Sequence, residues 1–212
     1  MSSCYAIAFH FLFSQIFSIS LFVTKRHLKM KKIFFSLFCL TIAISSFAQK
    51  TLPEIKDGTK MSASVFAQGQ QFPLALTVKV PKGSVSLAWS VDGYGDGEFV
   101  MSEKALESGT ALFLAQPGMG TTKLSDSETY GLISKAAFKS LVDTKGFTYS
   151  GIKFKTKTSG AKPMSMGGKE IDATHVVSED GKLELWILNN PNFPFILQTA
   201  GMPMDTVVTE IK

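Results

Sequence analysis

Few side chains in this 212-residue chain could attack, titrate near neutrality or hold a metal, and they are scattered. Of three histidines, only His175 lies beyond residue 48. It falls in phase with Ile171, Ala173 and Val177, on the apolar face of an alternating stretch. Catalysis by histidine needs a nucleophile or an orienting partner within hydrogen-bond reach, and no partner stands at a recognisable spacing. His175 is therefore read as a half-buried, hydrogen-bonded structural residue.

A second cluster is acidic. Asp92-Gly-Tyr-Gly-Asp96-Gly97-Glu98-Phe99 runs on to Glu103. Counted as a calcium loop, Asp92 takes the first position, Asp96 the fifth, Gly97 the sixth and Glu103 the twelfth, where carboxylates and a sharp turn are wanted. Tyr94 and Val100 stand where oxygen ligands belong, and a strand rather than a helix leads in. Gly-Asp-Gly is also ordinary hairpin chemistry, the reading preferred.

Methionines form a third group. Met164 and Met166, Met202 and Met204, and Met119 all fall in expected loops. Paired thioethers can ligate Cu(I). No His or Cys accompanies them, so plugging or lining an apolar surface is the stronger reading. Gly118-Met-Gly120-Thr-Thr-Lys123 lacks the spacing of a phosphate loop and is read as a plain loop. No catalytic, cofactor-binding or metal residue is assigned, and no enzyme activity is expected.

The residues around these candidates divide at a leader. Met30 opens a stretch in which Lys31 and Lys32 precede the apolar run Ile33 to Ile44, and Ser46-Phe47-Ala48 supplies the small residues of a cleavage site. Residues 30–48 read as a signal peptide cleaved before Gln49. Cys39 follows Phe38 where a lipoprotein wants a small residue, so lipidation is set aside. Residues 1–29, with the apolar span Tyr5 to Val23, read as an extension ahead of the true start or as an extra apolar segment.

Removing the leader changes the chemistry of the remainder. Lys25, Arg26, Lys29, Lys31 and Lys32 all precede the boundary, leaving 17 of the 22 basic residues against 17 acids. The pI near 9.1 therefore belongs to the leader. Residues 49–212 contain no arginine and no cysteine. Without arginine or a basic excess, nucleic-acid partners are excluded, and the domain must rely on its core rather than on disulfides.

Most of the remainder alternates with period two. Leu74, Leu76, Val78 and Val80 share one face, Pro81-Lys82-Gly83 turns, and Val85, Leu87, Trp89 and Val91 return. Gly-rich Asp92 to Gly97 interrupts, and Glu98 to Met101 resumes as a short strand. Ser102 to Ser108 is an expected helical turn ending at Gly109, Ala111 to Ala115 a strand, and Gln116 to Thr122 a loop. Ser134 caps an expected helix to about Thr144, with Ala137, Phe138 and Leu141 inward and Gly146 ending it. Strands follow at Phe147–Tyr149 and Ile152–Lys155, around His175, through Leu183, Leu185 and Ile187, at Phe195–Thr199 and at Val207–Ile211. One apolar and one polar face per strand predicts a mainly β domain, a curved antiparallel sheet of half-barrel or barrel form with one or two short helices.

The hairpins Gly168–Val177, Asp180–Ile187 and Pro194–Leu197 carry a strand ending in Trp-Ile followed by a proline-flanked strand. This pattern resembles uncharacterised bacterial exported antiparallel-β proteins, similar in shape to outer-membrane lipoprotein carriers. The resemblance implies a fold and no catalytic residues. The expectation is a non-enzymatic exported protein of the periplasm, or alternatively surface-associated or extracellular. Its partner would be an apolar ligand or lipid on the curved sheet, or alternatively an envelope protein, with weak Cu(I) or calcium binding a third reading.

Overall fold

The computed structural model describes residues 50–81, 83–115 and 118–212, all within one compact unit, Ala48–Lys212. The leader expected at 30–48, with Cys39, and the span Tyr5 to Val23 lie outside the described residues. Among the described residues no helix is long and apolar enough to cross a membrane.

Four strands open the domain: β1 (Lys60–Ala67), β2 (Gln70–Lys79), β3 (Ser84–Val91) and β4 (Gly95–Ser102). Then come helix α1 (Glu103–Ser108), β5 (Ala111–Leu112), β6 (Gly120–Lys123), β7 (Glu128–Thr129) and helix α2 (Lys135–Thr144). The last third holds β8 (Gly146–Tyr149), β9 (Ile152–Thr156), β10 (Met164–Met166), β11 (Lys169–Ile171), β12 (Ala173–Ser178), β13 (Glu184–Leu188), β14 (Ile196–Ala200) and β15 (Met204–Ile211). Eleven strands make one sheet in the order β6-β4-β3-β2-β1-β15-β14-β13-β12-β9-β8, open at both edges. Ten of the eleven continue antiparallel, while β6 adds parallel to β4.

Curvature follows from the burial pattern. Met61, Leu76, Leu87 and Phe99 from one flank join Trp186, Leu188 and Leu197 from the other in a single apolar cluster. Gly131 lies against Leu87 of β3 and Phe195 at once, its ideal Cβ position 3.3 and 3.0 Å from them, so the two flanks approach each other over that face as a curved sheet brings them. Register shifts at Ser62/Ala63 and at Trp186/Ile187 sharpen the twist.

The opposite face is covered by a helix at the C-terminal flank. There α2 lays Phe138 and Leu141 over Phe147, Tyr149, Phe154, Val176, Leu185, Ile187 and Ile196. Ser134 caps α2 as expected, its Oγ accepting from the Ala137 N–H at 3.3 Å. Tyr149 fixes the junction: its hydroxyl accepts the Ser134 N–H at 3.1 Å and lies 2.8 Å from Thr129 Oγ1. Burial pushes the Tyr149 phenol above its ordinary range.

Several expectations need correction. β13 does not have one polar face: Leu185, Trp186, Ile187 and Leu188 are all buried, because α2 covers one side and the curl of the sheet the other. The break at Asp92–Gly97 is shorter, with β4 already paired at Gly95 and Gly97. Gly97 is there for close approach, since a Cβ would stand 2.8 Å from Trp89 Cζ2 and 2.7 Å from the Gly120 carbonyl oxygen. The strand expected over Ala111–Ala115 stops at Leu112, and the loop expected over Gln116–Thr122 contains the start of β6. Lys145, not Gly146, takes the left-handed cap of α2. Met164 and Met166 lie in a hairpin strand rather than a loop.

Candidate functional site

The inner face of the sheet leaves an apolar cavity of about 640 Å³. Alternate residues of the first strands make its floor: Val65, Leu74, Leu76, Trp89 and Val91, with Thr206 and Val208 from β15. Two segments outside the eleven-stranded sheet wall it. Residues 112–115 contribute Phe113 and Leu114, and Tyr130-Gly131 stand between β3 and Phe195. Gly131 is held close, with φ +71° and room of only 3.0 Å from its ideal Cβ position to Phe195 Cε2. The Tyr130 ring stacks on Phe99 at 4.0 Å, and the Tyr130 N–H donates to Met101 Sδ at 3.3 Å. Burial raises the Tyr130 phenol above its ordinary value, so it stays a neutral hydroxyl.

The mouth is ringed by apolar side chains that remain partly open to water. Phe72, Tyr94, Leu114 and Met204 line the cavity yet are between 38% and 56% exposed. Met202 joins them from the turn Gly201–Asp205. That turn is tied down by Asp205, whose carboxylate accepts from the Gly201 and Met202 amides at 3.1 and 2.9 Å.

The outer face carries a different, polar depression of about 390 Å³ between Thr77, Ser90, Asp96, Glu98 and Thr121. Lys79 and Glu98 form an ion pair there at 3.2 Å. Asp96 and Glu98 are thus strand residues on the solvent side of the sheet. Asp92 and Glu103 flank the eight-residue β4, and at about 3.3 Å per residue they are separated by roughly 25 Å of extended chain. The arrangement does not wrap a calcium ion. Among the described residues no group of three or more His, Cys, Asp or Glu converges on a metal position.

His175 is buried and sits opposite Trp186, as its phase in the sequence implies. Its Nε2 lies 2.7 Å from Glu184 Oε2, and its Nδ1 accepts the Lys162 N–H at 3.0 Å. Glu184 also takes Lys157 Nζ at 2.6 Å, which holds its carboxyl below the ordinary carboxylate range. Burial lowers the His175 pKa despite the opposing pull of Glu184. This cluster fastens the 157–162 segment across the sheet and opens onto no cavity described above.

The methionines go two ways. Met164 is buried and Met166 packs beside it against the core, whereas Met202 and Met204 line the cavity. Val65, Phe72, Tyr130 and Phe195 have no motif to announce them. The sheet brings them together from positions far apart in the sequence. Only the mixed signal of aromatics and methionines in loops pointed toward an apolar surface. No protein-family model matches the chain, and no match is found among curated proteins or among solved structures.

Proposed function

We propose that this is an exported, non-enzymatic cell-envelope protein that shelters an apolar ligand on the concave face of its sheet. The observation that carries the reading is the cavity of about 640 Å³ walled by Leu74, Leu76, Trp89, Phe113, Tyr130 and Phe195. Sites that hold one small molecule span roughly 300–1,000 Å³ and are lined mainly by apolar side chains. The leader at Met30 supports export, and the resemblance of the C-terminal hairpins points to the same class.

A neutral apolar fluorophore, N-phenyl-1-naphthylamine, tests the reading. Bound probe should brighten and blue-shift, and Leu76→Trp, which fills the floor, should weaken binding at least tenfold without unfolding the protein. Equal binding by a well-folded Leu76→Trp variant sinks the cavity as the site. Solvent extraction of natively purified protein, followed by mass spectrometry, should recover a bound lipid-like compound.

A second reading is that the mouth docks onto an envelope protein. The exposed Phe72, Tyr94, Leu114 and Met204 favour it, since clustered apolar side chains at a surface mark contact sites. In that case substitution of Leu114 by Ser would abolish a complex with an envelope protein, whereas under the ligand reading it would only weaken probe binding.

A further inference from the structure

We infer that the ligand of this cavity is an electrically neutral compound, of the class of long-chain alcohols, esters or ring-bearing isoprenoids, and not a fatty-acid anion or phospholipid headgroup. The inference rests on the apolar-ligand reading and narrows it. Among the described residues that line the cavity there is no Asp, Glu, Lys, Arg or His. Apart from Thr199, the polar side-chain atoms of the lining are all uncharged: the Gln68 and Gln70 amides at the rim, the Thr206 hydroxyl, the Tyr94 and Tyr130 phenols, and Trp89 Nε1, a buried donor without a hydrogen-bond partner among the described residues. The Thr199 hydroxyl is already engaged, donating to Asp205 and accepting from the Thr206 N–H.

An anion entering this space would lose its water and meet no cation. Burying an unpaired charge costs far more than burying a hydroxyl or ester that finds one hydrogen bond. The charged residue of the strand that closes the cavity alternates with the lining residues and supplies no cation. Asp205 lies between the lining residues Met204 and Thr206, with its carboxylate committed to the Gly201 and Met202 amides. The nearby lysine, Lys182, packs its backbone under Gly201 and sends its ammonium toward Asp180 at 3.6 Å. A headgroup left at the mouth would therefore meet the apolar rim rather than a basic collar.

Competition against N-phenyl-1-naphthylamine, with 1-dodecanol and dodecanoate as a matched pair at pH 8, tests the inference on the purified full chain. Dodecanol should displace the probe at least tenfold more tightly than dodecanoate. Dodecanoate binding as tightly as dodecanol, or more tightly, overturns the inference while leaving the apolar site standing. Failure of both to displace bound probe, or failure of the probe to bind, overturns the apolar-ligand reading itself. A Thr206→Lys variant sets a cation in the wall and should raise dodecanoate affinity at least fivefold. A folded variant that leaves dodecanoate binding unchanged overturns the charge argument. Gln70→Lys, at the exposed rim, serves the same purpose if Thr206→Lys does not fold.

Discussion

His175 and Trp186 lie face to face across the β12–β13 ladder, their ring centroids 3.9 Å apart and their planes 16° from parallel. Both rings hold the same residue of a crossing segment. Trp186 Nε1 donates to the Lys162 carbonyl at 2.8 Å, and His175 Nδ1 accepts the Lys162 N–H. An Nδ1 that accepts carries no proton, so the imidazole is neutral with its hydrogen on Nε2, directed at Glu184.

That arrangement fixes a pH dependence. The folded pKa of His175 lies below its ordinary value of 6.5, so the unfolded chain takes up the proton first. Stability is full above the ordinary value and falls as pH drops through it toward the depressed folded value. Glu184, held below its ordinary 4.5 chiefly by Lys157, loses its own contribution only at lower pH. Melting temperatures followed from about pH 8 to about pH 5.5 should decline, and His175→Gln should flatten the decline. An unchanged slope in that variant would show that another group is responsible.

Tyr149→Phe should destabilise the domain by about 1–3 kcal/mol, because the buried Ser134 N–H loses its acceptor at the start of α2. Urea denaturation gives the value. Probe binding should be unaffected, since Tyr149 belongs to the cluster under α2 and not to the cavity wall.

Gly97→Ala meets backbone on one side and an indole on the other, with 2.7 Å to the Gly120 carbonyl oxygen. A loss of about 1–3 kcal/mol is expected from this overpacking. Trp89 is a wall of the cavity, so displacing its ring should also weaken probe binding. A variant with native stability and native affinity would show that β6 yields freely.

Calcium at millimolar concentration should leave the melting temperature where it is, since β4 runs extended between Asp92 and Glu103. Isothermal calorimetry showing a saturable heat, lost in Asp92→Asn, would refute the hairpin reading of this stretch.

The parts of the fold legible in the sequence are those where local chemistry and tertiary packing agree. The β2–β3 hairpin, the Ser134 cap and the Ser150-Gly151 turn between β8 and β9 all follow from residues a few positions apart. β1 is harder to see, because Ser62, Ala63 and Ser64 give little hydrophobic contrast although Met61 and Ala63 are buried. The continuous run Leu185-Trp186-Ile187-Leu188 signals a strand covered on both faces, but alternation at Leu183, Leu185 and Ile187 masks it. The cavity was not legible as a site. Its lining residues look like ordinary core, and they face one another only once β1–β3, β15, the 112–115 segment and Tyr130-Gly131 are brought together.

The join between β1 and β15 has a consequence for how the protein comes into being. Thr209 donates to the Ser62 carbonyl across 147 residues of sequence, in the middle of the sheet rather than at an edge. Such a ladder closes a long loop before it returns any contact energy, which places the domain among the slow, high-contact-order folders. A nascent chain lacks both the central ladder and the Thr206–Val208 side of the cavity until β15 has been made. A chain halted before β15 therefore has open strand edges at β1 and β14 and lacks one side of the cavity.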